Sequence, residues 1–137
     1  MNSNSGLSLV SRYVPGSGAE TPLSNVCIGF TNVFAASDNS RRIHLWSIKK
    51  EEPRFSFEPL SSDITCLSFT KESNGIYAGT LSGTVYGWEL NKMKKMNKFS
   101  GHMTEVKFLE TGASEEDSHL MMTGSGDTTV KLWDLRE

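Results

Sequence analysis

The stretch "TGSGDTTVKLWDL", Thr123 to Leu135, reads as a strand end, a tight turn around Gly126-Asp127, and a second strand that closes on a tryptophan. Two looser versions of it lie upstream, "AGTLSGTVYGWEL" from Ala78 to Leu90 and "ASDNSRRIHLWSI" from Ala36 to Ile48. The three tryptophans, Trp46, Trp88 and Trp133, are therefore markers of a repeat, spaced by 42 and 45 residues. Around each marker the same order of apolar stretches recurs. A first stretch is "VCIGF" (Val26 to Phe30), "ITCLSF" (Ile64 to Phe69) or "EVKFLE" (Glu105 to Glu110). A second ends in small residues: "VFAAS" (Val33 to Ser37), "IYAGT" (Ile76 to Thr80), "LMMTGS" (Leu120 to Ser125). The third carries the tryptophan. A fourth follows only the first two, "RFSFE" (Arg54 to Glu58) and "MNKFS" (Met96 to Ser100).

Short runs of Val, Ile, Phe, Tyr, Thr and Trp, divided by Asn, Gly, Ser and Asp, favour strands. The one segment that can be forced toward a helix, "KFLETGASEEDSHLMM" from Lys107 to Met122, is interrupted by Gly112. The third stretches, such as Ile43-His44-Leu45-Trp46 and Val130-Lys131-Leu132-Trp133, show no clearly wet face, which predicts sheets covered on both sides. The expectation is an all-β chain of three consecutive four-stranded units stacked side by side, the third lacking its outer strand. Residues 1–23 are set apart as an amino-terminal segment, with a candidate closing strand at 7–13 and a linker rich in Pro, Gly and Ser. Residues 24–137 form the repeat region, divided at 24–60, 61–101 and 102–137.

These residues resemble the WD40 repeat propellers. The third repeat carries the fullest pattern: Gly101-His102, Thr123-Gly124-Ser125, Asp127 and Trp133-Asp134. The resemblance implies a hydrogen-bonded chain within the blade formed by His102, Thr123, Asp127 and Trp133, around blade cores marked by Trp46, Trp88 and Trp133. The second repeat departs from the pattern with Pro59-Leu60 in place of Gly-His and Ser82 in place of the turn Asp; the first has Ser40 there and no Gly-His. Both blades are therefore expected to be less rigid. Propellers close with about four to eight blades. Three blades predict an open partial propeller, a piece of a larger ring or a shortened gene product, poorly stable or self-associating on its own.

Within the family, "LWSIKK", "AGTLSGTVYGWEL" and "TGSGDTTVKLWDLR" look like the first blades of the regulatory subunit of katanin. That likeness implies a non-catalytic scaffold that targets a microtubule-severing ATPase, with the katanin catalytic subunit and microtubules as partners and a cytoplasmic, cytoskeletal or centrosomal location. The alternative is a generic WD40 adaptor, such as a ubiquitin-ligase substrate receptor or assembly platform. A hydrolase is a distant third.

Charge and composition narrow the partners. Fourteen basic and 16 acidic side chains leave a net charge of −2, with no overall pull toward nucleic acid or an anionic membrane. No apolar run approaches the ~20 residues of a membrane span, and Met1 to Gly6 lack the start of a secretory signal. Tyr77, Tyr86 and Phe99 fall in strands that stacking should cover, so no nucleic-acid partner is expected. Cys27 and Cys66 stand 39 residues apart and suit a reducing compartment. His44 and His119 have no companions at ligand spacing; neither metal nor cofactor is expected. His102, Asp127 and a nearby serine superficially resemble a nucleophilic triad, but no G-x-S-x-G elbow exists. Candidate partner contacts are Arg41 and Arg42 on one rim, and the lysines Lys92, Lys94, Lys95 and Lys98, read as a turn at the other end.

Overall fold

The computed structural model describes residues 6–15, 21–30, 32–49, 55–71, 74–92 and 94–136, with the backbone alone at 94–97. Eleven strands are present among the described residues: β1 (Leu23–Ile28), β2 (Val33–Asp38), β3 (Ile43–Ser47), β4 (Phe55–Ser56), β5 (Ile64–Phe69), β6 (Gly75–Thr80), β7 (Thr84–Glu89), β8 (Lys94–Ser100), β9 (Val106–Thr111), β10 (Leu120–Ser125) and β11 (Val130–Asp134). They form three antiparallel meanders in chain order, β1-β2-β3-β4, β5-β6-β7-β8 and β9-β10-β11. This is an open arc of three propeller blades, the third without an outer strand.

The repeat is visible in register as well as in order. Trp46 pairs across to Phe34, Trp88 to Ile76 and Trp133 to Met121, so each indole holds the same place in its sheet. In every blade the register of the first two strands shifts once, at Leu23/Asn25, Ile64/Cys66 and Gly124/Ser125, a bulge that bends the innermost strand. The innermost strands lie side by side. Asn25 Nδ2 donates to Ile64 O at 2.9 Å, while Thr65 Oγ1 donates to Val106 O and Thr111 Oγ1 to Phe69 O.

Two apolar seams hold the arc together. The first joins Val33, Ile43, Leu45 and Phe57 of blade one to Ile64, Leu67, Ile76 and Trp88 of blade two. The second joins Tyr77 and Val85 to Val106, Leu109 and Met121, with Phe99 stacked on Trp133 at 5.3 Å. β6 is buried along its whole length, and β3 is buried at four of its five positions. β11 is the exception to the expectation of sheets covered on both sides. Val130, Lys131 and Leu132 are exposed, because no further sheet lies on the outward face of blade three.

Several expected boundaries move. The fourth strand of blade one is only Phe55–Ser56, and Arg54 lies outside the described residues. β8 begins at Lys94, two residues before the expected Met96, so Lys94 and Lys95 belong with Lys98 to an outer strand rather than to a turn. Residues 7–13, the candidate closing strand, form no strand. Instead Tyr13 lies edge-on to Phe34 at 4.8 Å and donates its hydroxyl to Ile48 O at 2.6 Å, covering part of the outer face of blade one. Leu7, Leu9 and Val10 remain exposed. Between β9 and β10 the chain turns without a helix, through Asp117 N to Ser114 O and Leu120 N to Asp117 O.

Candidate functional site

The turn between the second and third strands recurs three times with one backbone solution. Its third position is left-handed in each blade: Arg41 at φ 70°, Gly83 at φ 92° and Thr128 at φ 75°. Glycine adopts that conformation without strain, whereas arginine and threonine do so only under constraint. At Gly83 a side chain is excluded a second time, because its Cβ would run into the carbonyls of His102 and Thr104 in the connection passing overhead. Gly101 has a related role: a Cβ there would sit 2.6 Å from the Trp133 ring.

Around the third turn the residues His102, Thr123, Asp127 and Trp133 are brought into one line. Trp133 Nε1 donates to Thr123 Oγ1 at 2.9 Å, and Thr123 Oγ1 lies 2.7 Å from His102 Nε2. The Asp127 carboxylate can only accept, so the His102 Nδ1 proton points to it, and in the neutral ring Nε2 accepts from the Thr123 hydroxyl. The imidazole proton then sits on Nδ1, 3.0 Å from Asp127 Oδ2. Asp127 also accepts from Thr129 Oγ1, Met103 N at 3.1 Å and Thr129 N at 2.9 Å. Those bonds, the Thr129 hydroxyl foremost, hold its carboxyl well below the ordinary range. The line spans the Gly-His connection, two strands and the turn, and it leaves no donor toward a substrate.

Blade one contains a second buried network that sequence reading missed. His44 Nε2 is 2.7 Å from Asp38 Oδ2, and His44 Nδ1 is 2.7 Å from Ser56 Oγ. Asp38 Oδ1 accepts from Ser40 N at 2.9 Å, Ser40 Oγ at 2.6 Å and Arg42 N at 3.2 Å. Burial opposes the charged form of Asp38, but the bonds from Ser40, His44 and Arg42 outweigh it and bring the carboxyl down to about 2. The order Asp-His-Ser matches a nucleophile relay in connectivity only. His44 is 1% exposed with both nitrogens occupied, so it stitches β4 to β3 and to the end of β2. The available signal was the cross-strand pair Ala36–His44, which puts His44 within reach of Asp38 two residues on.

Blade one also has a buried indole N–H, Trp46 Nε1, without a hydrogen-bond partner. Its cause is in the register. Ala36 stands where Thr123 accepts from Trp133 in blade three.

The candidate partner residues divide between the two ends. Arg41 Nε is bound to Asp63 Oδ1 at 2.9 Å, and Arg42 Nη1 donates to Phe57 O at 3.2 Å. At the other end Lys92 Nζ meets Glu89 at 3.6 Å, and Lys71 meets Glu115 at 3.6 Å. Lys98 Nζ lies 5.9 Å from the centre of the Tyr86 ring. The side chains of Lys94 and Lys95 lie outside the described residues. Among the described residues there is no group of three or more His, Cys, Asp or Glu placed to hold a metal, and no helix long and apolar enough to cross a membrane. The two thiols are partly buried, and burial pushes Cys27 up to about 12.

The family model described as "WD domain, G-beta repeat" matches residues 52–89 and 93–134, more than half of the chain. The chain belongs to the WD40 repeat family. A U3 small nucleolar RNA-associated protein 15 homolog of Xenopus tropicalis is 29% identical over 100 residues, covering 73% of this chain and 19% of that relative. Pre-rRNA-processing protein crb3/ipi3 of Schizosaccharomyces pombe is 23% identical over 116 residues, covering 74% and 26%. The solved structure of U3-55K superposes with a TM-score of 0.77 at 18% identity, over 87% of this chain and 38% of the other, a likeness of fold. The chain thus spans about a fifth to a quarter of the length of these curated relatives. The WD40 family is one of generally non-catalytic interaction scaffolds. Two expectations change. The cytoplasmic and cytoskeletal location is overturned by relatives named for small nucleolar RNA and pre-rRNA processing. The exclusion of nucleic acid, drawn from a near-neutral charge and covered aromatics, loses its footing for the same reason.

Proposed function

We propose that this WD40 chain is an interaction scaffold within an assembly that processes ribosomal RNA, working in the nucleolus. The observation that carries this reading is the match, across about three quarters of the chain, to relatives named for U3 small nucleolar RNA and pre-rRNA processing. The geometry is compatible with it. The buried polar lines of blades one and three are spent on holding turns in place, which fixes the rims where partners dock. Arg41 on one rim and Lys92 and Lys98 at the outer edge of blade two are exposed cations suited to acidic protein segments or to the phosphates of a ribonucleoprotein. Arg42, Lys94 and Lys95 belong to the same two clusters. The finer expectation of a katanin regulatory subunit, with the severing ATPase and microtubules as partners, has no support among these relatives and yields to this reading. A generic WD40 adaptor is the remaining alternative.

The test is recovery of the tagged full chain from nucleolar extract with quantification of bound U3 RNA against a spliceosomal RNA. Enrichment of U3 RNA is expected, and Arg41→Ala with Lys98→Ala should reduce it. Equal recovery of the two RNAs, or pelleting of the purified chain with microtubules, would sink the proposal.

A further inference from the structure

Asn74-Gly75 is the only Asn-Gly pair in the chain, and it stands where the connection from β5 enters β6. Packing calls for glycine at the second position. A Cβ on Gly75 would lie 3.1 Å from Trp88 O in the neighbouring strand, a tight approach. Asn74 itself is exposed, and it borders a hollow of about 440 Å³ together with Thr70, Lys71, Glu115 and Ser118.

A glycine after asparagine leaves the way open to a reaction of the backbone on the side chain, because no Cβ hinders the attacking nitrogen. Hydroxide takes the proton from Gly75 N, which attacks Asn74 Cγ. The new N–C bond forms, the Cγ–Nδ2 bond breaks, and ammonia leaves with a proton from water. Water then opens the cyclic imide at one carbonyl or the other, leaving aspartate or isoaspartate. To bring the nitrogen to Cγ, the peptide group between Asn74 and Gly75 must turn about the Asn74 Cα–C bond.

That peptide group is held at both of its ends. Its N–H, from Gly75, donates to Thr70 Oγ1 at 2.9 Å, and its carbonyl, Asn74 O, accepts from Leu90 N at 2.9 Å. Thr70 N closes the ring by donating to Gly75 O at 2.9 Å. Groups bonded in this way become available only when the segment opens locally. We propose that Asn74 is a site of spontaneous deamidation and that the Thr70 hydroxyl is the latch that restrains it. Either product sets a new carboxylate in the hollow shared with Lys71 and Glu115, which are paired at 3.6 Å. Isoaspartate also adds a carbon to the main chain at the entry to β6.

The test is incubation of the full chain in mildly alkaline buffer beside a synthetic peptide of residues 70–79. Conversion at Asn74 is followed by peptide mass mapping and by enzymatic methylation of isoaspartate. The unaltered chain should convert more slowly than the peptide, by the open fraction that hydrogen exchange reads at the Gly75 amide. Thr70→Val should raise the rate roughly fivefold, the worth of one hydrogen bond, whereas Thr70→Ser, which keeps the hydroxyl, should leave it unchanged. Circular dichroism verifies the fold of each variant, and Asn74→Gln should abolish the signal at this position. Conversion of the unaltered chain as fast as the peptide, Thr70→Val no faster than the unaltered chain, or Thr70→Ser as fast as Thr70→Val overturns the proposal. If Thr70→Val does not fold, the unaltered chain decides: a rate unrelated to the open fraction of the Gly75 amide overturns it as well.

Discussion

Ala36 and Thr123 occupy one register position in two different sheets and have opposite consequences for the indole beside them. Thr123 satisfies Trp133 and His102 together, whereas Ala36 leaves Trp46 Nε1 buried without an acceptor. A buried polar group that loses its partner costs ~1–3 kcal/mol, and a new hydrogen bond returns ~1 kcal/mol. Thr123→Val should therefore lower the free energy of unfolding by about 2 kcal/mol, and Ala36→Ser should raise it by about 1 kcal/mol, both read from urea titrations. Stability unchanged in both would mean that these indoles are not limited by their acceptors. The His102 set could be read in the sequence because all its members sit at motif spacing. The Asp38-His44-Ser56 set could not: the stretch that holds Ser56 reads as a fourth strand, but no spacing in the sequence fixes its register against β3, which sets Ser56 opposite His44.

At the scale of elements, the strands were legible from composition and spacing, and their ends were not. The lysines of β8 read as a solvated turn because charge dominates Lys92 to Lys98, yet the pairs Glu89–Lys94 and Tyr86–Lys98 extend the ladder through them. Pairing with a neighbour decided what local polarity could not. The turns show the converse, a backbone demand met by unsuitable residues. Thr128 is exposed and β-branched at φ 75°, a conformation that costs an L-residue ~1–2 kcal/mol. Allowing for the greater chain entropy of glycine when unfolded, Thr128→Gly should stabilise the chain by ~0.5–1 kcal/mol in thermal unfolding. Loss of stability would place the constraint elsewhere in the turn.

For the molecule as a whole, the hydrogen-bonded turn carboxylates set the response to acid. Asp38 is lowered from 3.8 to about 2, and Asp127 is lowered as well. A carboxyl depressed by folding stabilises the native state above its unfolded value and loses that contribution as pH falls through its folded value. Unfolding midpoints should hold near neutrality and decline as pH drops below about 4, and Asp38→Asn should flatten that decline. An acid response identical in the variant would remove Asp38 from the account.

The connections between blades are bonded to both of the sheets they join. Leu60 N reaches back to Arg41 O at 2.8 Å while Leu81 N reaches Asp63 O at 2.8 Å, and His102 N reaches Gly83 O at 3.2 Å while Gly126 N reaches Glu105 O at 3.2 Å. Blade two is the one sheet clasped in this way from both sides. In hydrogen exchange its central amides, those of β6 and β7, should be the last to take up deuterium. The slowest-opening part of the protein is then a blade that lacks the Gly-His pair and the turn Asp of blade three, with Pro59-Leu60 and Ser82 in their places, because persistence is conferred by its neighbours and not by its own motif.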